Sequence, residues 1–447
     1  MVDISFESID GLEKELNHLE RMSKSEFNRL RNKKFRECIL RQYRTDPNLQ
    51  RLYHTNGIFE ADLPRTLDEI KKLPFVDKKM VKDARYDQNL IVPRSQIVKV
   101  LHTYGSLSEP TRIPYSIKST KRLMADFFVR SMIFSETDPY KTCYSISMFL
   151  PNKDVWASHF GMKSSKEYYM KDKMIDESSI TPLPVHLENI KKIKPHSVMT
   201  AVAALIPLSA LSDGSVQIPR LFSAGQYFSE ETREYLEKSF SSIMLGFYAT
   251  TEGGVIASEC PQKEGYHIWT DEFEFEILDE NNERVSEGER GRVVVTSFST
   301  DAVSLIRYTG ITDEVTYVGE CSCGSKFPII KEIKRFGYAP LGNLKFPYWY
   351  IEEMGTMLRQ KGIPTSTPQL TYRREKDGKI TPIIRLELRR PVSGVEEEAK
   401  RLFFLDEQAV LFYESGWIHE PEVELYKMGE LSKGEFKAKY FVAPDEE

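Results

Sequence analysis

Cysteine is scarce, with five in 447 residues, too few for the disulfide framework that staples small secreted folds. Long apolar runs are missing too. The longest uncharged stretch, Ser197 to Ser212, is broken by Pro207 and falls short of the ~20 residues a membrane span needs. Nor is there an excess of positive charge. The 62 Lys and Arg residues face 67 Asp and Glu, a net charge of −5, which removes the main driving force for non-specific nucleic-acid binding. The opening residues Met-Val-Asp-Ile-Ser-Phe-Glu hold no basic stretch ahead of an apolar one, so a secretory signal is not expected. Internal repeats and low-complexity tracts are absent from the sequence. These absences predict a soluble, cytoplasmic protein with no membrane and no nucleic-acid partner.

Hydrophobic residues make up 40% and aromatics 11% of the chain, enough for buried cores. At roughly 150 residues per domain, the length predicts more than one. Residues 10 to about 45 are charge-dense, with Leu12, Leu16, Leu19 and Met22 at helical spacing. This reads as an amphipathic helix that either covers a sheet or offers a dimer contact. A strand-like pattern runs from Asn89 to Thr103, and a helical one follows Thr120. Ser197 to Leu211 reads as an apolar helix or strand–helix unit, and Arg220 to Ala224 as a short strand. Ser229-Glu230-Glu231 reads as an N-cap with acids in the first turn, opening a helix through Phe240. Ile243 to Tyr248 is another buried strand. Strand, helix and strand in this order predict parallel α/β architecture. After Gly253 the period changes to two: Phe273-Glu-Phe-Glu-Ile, a turn at Glu280-Asn-Asn-Glu, and Gly291-Arg-Val-Val-Val-Thr predict a hairpin. The fold class expected is α/β. A large N-terminal domain, 1–335, carries α/β sheets and a β-rich part at about 255–330, and a small α+β C-terminal domain spans 336–447. Gly337, Pro340 and Gly342 mark the boundary.

Five segments carry chemistry-bearing residues. Thr103-Tyr-Gly-Ser-Leu-Ser-Glu-Pro-Thr111 follows a strand, and its small residues would let backbone N–H groups approach a phosphate, although such clusters are also ordinary loops. Phe247-Tyr-Ala-Thr-Thr-Glu-Gly-Gly254 puts a carboxylate and hydroxyls at a strand's end, placed for Mg²⁺ or simply for a glycine turn. Ile306-Arg-Tyr-Thr-Gly-Ile-Thr-Asp313 and Arg335 offer an acceptor for ribose hydroxyls and a fork of donors, or solvated surface charges. Cys260, His267, Cys321 and Cys323 are the ligand types of a closed tetrahedral zinc site. Their spacing is not the paired Cys-x-x-Cys knuckle, and buried free thiols are the other reading. Cys38 and Cys143 read as core packing. Lys437, near the C-terminus, reads by composition as a solvated lysine.

In this order the segments resemble the phenylacetate–CoA ligase-like branch of the adenylate-forming superfamily, which includes acyl-CoA synthetases, luciferases and peptide-synthetase adenylation domains. Leu73-Pro-Phe-Val-Asp-Lys-Lys is similar to the family's opening segment, Thr103 to Thr111 to its phosphate loop, and Ser223-Ala-Gly-Gln226 to its adenine-side turn. Phe247-Tyr-Ala-Thr-Thr-Glu, Ser258-Glu-Cys…Gly265-Tyr-His-Ile-Trp, Gly288-Glu-Arg-Gly-Arg-Val-Val-Val-Thr, Ile306-Arg-Tyr…Asp313 and Cys321-x-Cys-Gly continue the series. The resemblance implies an AMP-forming acid–thiol ligase that adenylates an aryl or acyl carboxylic acid with ATP and Mg²⁺ and passes it to a thiol, usually coenzyme A. It assigns Ser106 to the ATP phosphates, Gly225, Gln226 and Tyr248 to adenine, and Thr251 to the α-phosphate. Glu252 would hold Mg²⁺, Asp313 the ribose with Arg335 assisting, and Lys437 the reacting phosphate, with Lys433 and Lys439 as rivals. Cys260, His267, Cys321 and Cys323 become ligands of a structural Zn²⁺. Tyr144, Phe149 and Ala249 are placed by position to line an acid pocket.

The sequence departs from the family where the loop's second glycine is Ser108 and its lysine is Glu109. Beside a triphosphate, each unit-charge interaction at ~4 Å is worth about 4 kcal/mol at an effective dielectric of 20. The family's paired acids after Arg335 are replaced by Phe-Gly-Tyr. Two alternatives therefore stay open: a catalytically degenerate nucleotide-binding or scaffold protein, and an enzyme that loads a carrier protein.

Overall fold

The computed structural model describes residues 8–83, 90–103, 111–147, 157–212, 214–225, 228–335, 338–342, 344–431 and 440–444. The chain forms two compact units, one from Met1–Asp176 with Leu245–Ile333, the other from Glu177–Met244 with Lys334–Glu447. Residues 177–244 thus group with the C-terminal residues, which no composition shift announces. Among the described residues, no helix is long and apolar enough to cross a membrane.

In the first unit, the charge-dense N-terminal stretch, expected as one helix, is two: Ile9–Arg21 and Lys24–Thr45. The break is local. Glu26 N donates to Ser23 Oγ (3.2 Å) while Ser23 N donates to the Glu26 carboxylate (2.9 Å), a reciprocal capping box that starts a helix afresh. Ile9, Leu12, Leu16 and Leu19 form the buried stripe of the first helix. Behind it stand seven neighbouring strands, in the order Phe273–Leu278, Arg290–Ser297, Asp313–Gly319, Ile329–Arg335, Tyr266–Ile268, Gly254–Glu259 and Ile243–Thr250. The expected hairpin is there, with Phe273 opposite Ser297 and Leu278 opposite Arg292. All six residues Phe273–Leu278 are buried, Glu274 and Glu276 among them, so the strand is covered on both faces although its sequence alternates with period two.

A helical run crosses this unit from Ile117 to Phe134, with a π-turn at Thr120–Asp126. It carries two cations into the interior. Arg122 bonds Glu15 (2.8 and 2.9 Å) and Glu272 (2.7 Å). Arg130, fully buried, grips Asp271 with both nitrogens (2.9 and 3.0 Å), its guanidinium 4.3 Å over Trp269 and 5.1 Å over Phe327. Glu15, Asp271 and Glu272 bring oxygens within 4.8 Å of one another. The guanidinium groups and Lys34, 2.5 Å from Glu272, make that concentration of buried charge tolerable.

The second unit has parallel strands Ser197–Met199 and Arg220–Ala224 and helices Leu183–Ile193, Val202–Ser212 and Glu230–Phe240. The last is capped by Ser229, as the sequence predicts. A three-stranded sheet follows, Gln369–Arg374 antiparallel to Ile380–Leu388, itself parallel to Glu422–Lys427. Helices Tyr348–Gln360 and Val395–Phe403 close a core that includes Phe346, Ile351, Leu358, Ile384, Leu402 and Phe403. Arg359, buried, reaches from its helix to Thr232 Oγ1 on the helix Glu230–Phe240 (3.1 Å).

Burial pushes the Asp126 carboxyl up to about 6, against the pull of Arg122 and the Tyr169 phenol. The folded state therefore holds this proton more tightly than the unfolded chain. The resulting stability is present below about pH 4 and lost as pH rises through about 6, a difference of at most about 3 kcal/mol. Melting curves of wild type and Asp126→Asn between these pH values should diverge, with the variant gaining relative to wild type as pH rises. Parallel curves would refute the assignment.

Candidate functional site

The strand Ile243–Thr250 ends in a tight turn and returns as Gly254–Glu259, with Thr250 opposite Gly254. Gly253 N donates to Thr250 Oγ1 (3.0 Å), closing the turn and presenting Thr251 and Glu252 at its tip. Gly254 is left-handed (φ 66°), and a Cβ there would lie 2.0 Å from the carbonyl oxygen of Leu123. The turn is thus pressed onto the π-turn of the helical run. From its other side, the buried Tyr115 hydroxyl donates to the Thr251 carbonyl (2.8 Å).

Two phenols organise the carboxylates. Tyr248 donates to Asp313 Oδ2 (2.8 Å), and the fully buried Tyr308 donates to Glu252 Oε1 (3.2 Å). Asp313, from a separate stretch of sequence, is therefore brought to the segment that carries Tyr248, Thr251 and Glu252. Glu252 is 6% exposed. Burial pushes its carboxyl up, Asp313 adds to that, and Lys78 and Tyr308 draw it back down. Burial and the Asp313 charge likewise hold the Tyr248 phenol well above its ordinary range. The arrangement offers a buried, acceptor-rich group of side chains of the kind that suits a hard cation and hydroxyl donors.

Three contributors were not singled out by sequence. Tyr308 and Lys78 lie within quoted segments but carry no residue-type signal for this role, and Tyr115 stands outside them. Ser106, Gln226 and Lys437 lie outside the described residues, with Ser108, Glu109, Phe149, Lys433 and Lys439. The ends of the 103–111 segment are paired: Thr103 N donates to Thr111 O (3.0 Å) and Thr111 N to Thr103 Oγ1 (2.9 Å). Gly225 ends the strand Arg220–Ala224 with φ 82°, a left-handed turn that glycine makes without cost. Arg335 ends the strand Ile329–Arg335. Tyr144 is buried on the strand Cys143–Ser147.

Cys260, His267, Cys321 and Cys323 converge, with one ligand atom from each inside a 4.8 Å span. Cys260 Sγ lies 3.8 Å from Cys321 Sγ, and Cys323 Sγ 3.6 Å from His267 Nε2. A tetrahedron with ~2.3 Å metal–sulfur and ~2.0–2.1 Å metal–nitrogen bonds has edges of about 3.8 and 3.6 Å, so the donor set fits a four-coordinate zinc. His267 Nδ1 bonds the Phe327 carbonyl (2.8 Å), which turns Nε2 towards the sulfurs. Glu264 accepts from the backbone and hydroxyl of Ser322 (2.9 and 2.6 Å), between the last two cysteines. Burial pushes the Cys321 thiol up to about 12 and the Cys260 thiol upward, and depresses His267. Phe247, Ser258, His267 and Ile329 stand in one row across four strands, so this cluster is in register with the residue before Tyr248.

No known protein-family profile matches the chain. Its sequence is similar to the phenylacetate-coenzyme A ligase of Thermus thermophilus, 22% identical over 320 residues, 68% of this chain and 69% of that one. It is also similar to the phenylacetate-coenzyme A ligase of Escherichia coli, 21% identical over 315 residues, 66% and 68% of the two chains. Its structure is similar to a 2-hydroxyisobutyryl-CoA ligase solved in the postadenylation state with R3-HIB-AMP, at a TM-score of 0.74 and 16% identity over 96% of this chain and 92% of that one. The expected resemblance holds, and the fold is that of the adenylate-forming CoA ligases.

Gly254→Ala combines a left-handed backbone with a clash against a carbonyl oxygen. It should lower the melting temperature by several degrees. An unchanged melting temperature would mean that the turn does not rest on Leu123.

Proposed function

We propose that this protein is an ATP-dependent, AMP-forming acid–thiol ligase that adenylates an aryl or acyl carboxylic acid and transfers it to a thiol, coenzyme A being the expected acceptor. The observation that supports the reading is the pairing of Glu252 and Asp313 with Tyr308 and Tyr248 at the end of a buried strand, the two acids to which the resemblance assigns magnesium and ribose. In this reading Glu252 holds Mg²⁺, whose chemistry is to screen the repulsion between the acid carboxylate and the α-phosphate. Asp313 accepts the ribose hydroxyls, Thr251 donates to the α-phosphate, and Gly225, Gln226 and Tyr248 bracket adenine. Ser106 faces the phosphates and Arg335 assists at the ribose. Lys437, from the small domain 336–447, stabilises charge as pyrophosphate leaves. A cytoplasmic location fits these substrates.

ATP–pyrophosphate exchange over a panel of aryl and acyl acids should find at least one acid that supports turnover. Glu252→Gln and Lys437→Ala should each reduce that exchange by roughly 10²–10³. No exchange with any acid, together with no ATP binding, would favour the scaffold alternative that Glu109 keeps open.

Cys260, His267, Cys321 and Cys323 we assign to a structural Zn²⁺, since all four positions of a tetrahedron are supplied by the protein. Elemental analysis of purified protein should give about one zinc per chain, lost together with thermal stability in Cys321→Ser. Metal-free protein that melts at the wild-type temperature would remove this assignment.

A further inference from the structure

Arg307 is buried and plays no part in the reading above. Its backbone is left-handed, φ 47°, a conformation that side-chain-bearing residues keep only when their surroundings impose it. Here they do. Nε and Nη2 pair with the Glu276 carboxylate at 3.1 and 3.0 Å, Nη1 donates to the carbonyls of Leu73 (2.7 Å) and Lys71 (3.2 Å), and the guanidinium lies 4.1 Å over the Phe75 ring. Its backbone N–H donates to Thr296 Oγ1 (2.8 Å) and its carbonyl accepts from Val76 N (3.1 Å). The residue therefore ties the segment 71–76 to the strands Phe273–Leu278 and Arg290–Ser297.

What this fastening delivers is the next residue. Tyr308 exchanges both backbone bonds with Val295 (2.9 and 3.1 Å), and its ring carries the hydroxyl that meets Glu252. Two residues on, a Cβ at Gly310 would lie 2.0 Å from that hydroxyl oxygen. The chain thus leaves open the space the hydroxyl fills.

We propose that Arg307 is a positioning residue for metal–nucleotide binding: its clamp on the left-handed turn fixes the Tyr308 hydroxyl against Glu252 and holds that carboxylate in one orientation. The proposal rests on the reading of Glu252 as the Mg²⁺ ligand. The test is isothermal titration of ATP, with and without Mg²⁺, into full-length wild type, Arg307→Lys, Tyr308→Phe and the double variant. Each single variant should bind Mg²⁺·ATP about tenfold more weakly. The double should be no weaker than the worse single, because both act through one hydrogen bond. ATP without Mg²⁺ should bind all four alike. Should Arg307→Lys fail to fold, Gly310→Ala replaces it, crowding the hydroxyl from outside the clamp, with the same Mg²⁺-specific loss expected. Wild-type affinity in Tyr308→Phe, multiplied losses in the double, or equal losses without Mg²⁺ would each overturn the proposal. Wild type that binds no Mg²⁺·ATP would instead remove the reading of Glu252 itself, and the proposal with it.

Discussion

Burial of a carboxylate opposes its ionisation, and Glu252 is a buried carboxylate whose pKa is pushed up by that burial. The molecule answers with neighbours from widely separated stretches: a phenol from residue 308, an ammonium from residue 78, and a turn held in place by Tyr115 and by contact with Leu123. Each answer constrains something else. The turn requires glycine at 254, the phenol requires Arg307 in a left-handed conformation, and that conformation requires the opening segment 71–76 to lie where it does. The desolvated acid thus accounts for much of the local architecture around it.

How far the sequence could anticipate this follows from the range of each signal. The segment Ser197–Thr250 is legible because its cues are local: the Ser229 cap, the acids behind it, and apolar runs bounded by turns. The hairpin at 273–297 is legible by its period of two. The N-terminal helix break is signalled too, by Ser23 and Glu26 three residues apart, yet the leucine spacing running up to Met22 masks it. The grouping of 177–244 with the C-terminal residues has no local cue at all. Within the site, Glu252 and Asp313 are legible through family-like motifs. Tyr308, Tyr115 and Lys78 are not, because a tyrosine or lysine gains meaning only from what folding brings beside it.

The zinc-type cluster shows the intermediate case. Residue types alone suggest ligands, but whether thiols 61 residues apart meet depends on strand register. That register is fixed by the antiparallel pairing of Tyr266–Ile268 with both of its neighbours. The same row of residues reaches Phe247, so geometry at the cluster and geometry at the turn that carries Glu252 are set by one ladder.

Arg130 has a bearing on time rather than on equilibrium. Its guanidinium is walled by Trp269, Phe127 and Phe327 and neutralised by a single buried carboxylate. Peeling the helix Phe127–Phe134 away would pull this pair apart before water could reach either charge, a penalty concentrated in the barrier and not in the end state. Slow opening of this region is the expected consequence, with the dry ion pair adding to the native lifetime of the unit that carries Glu252.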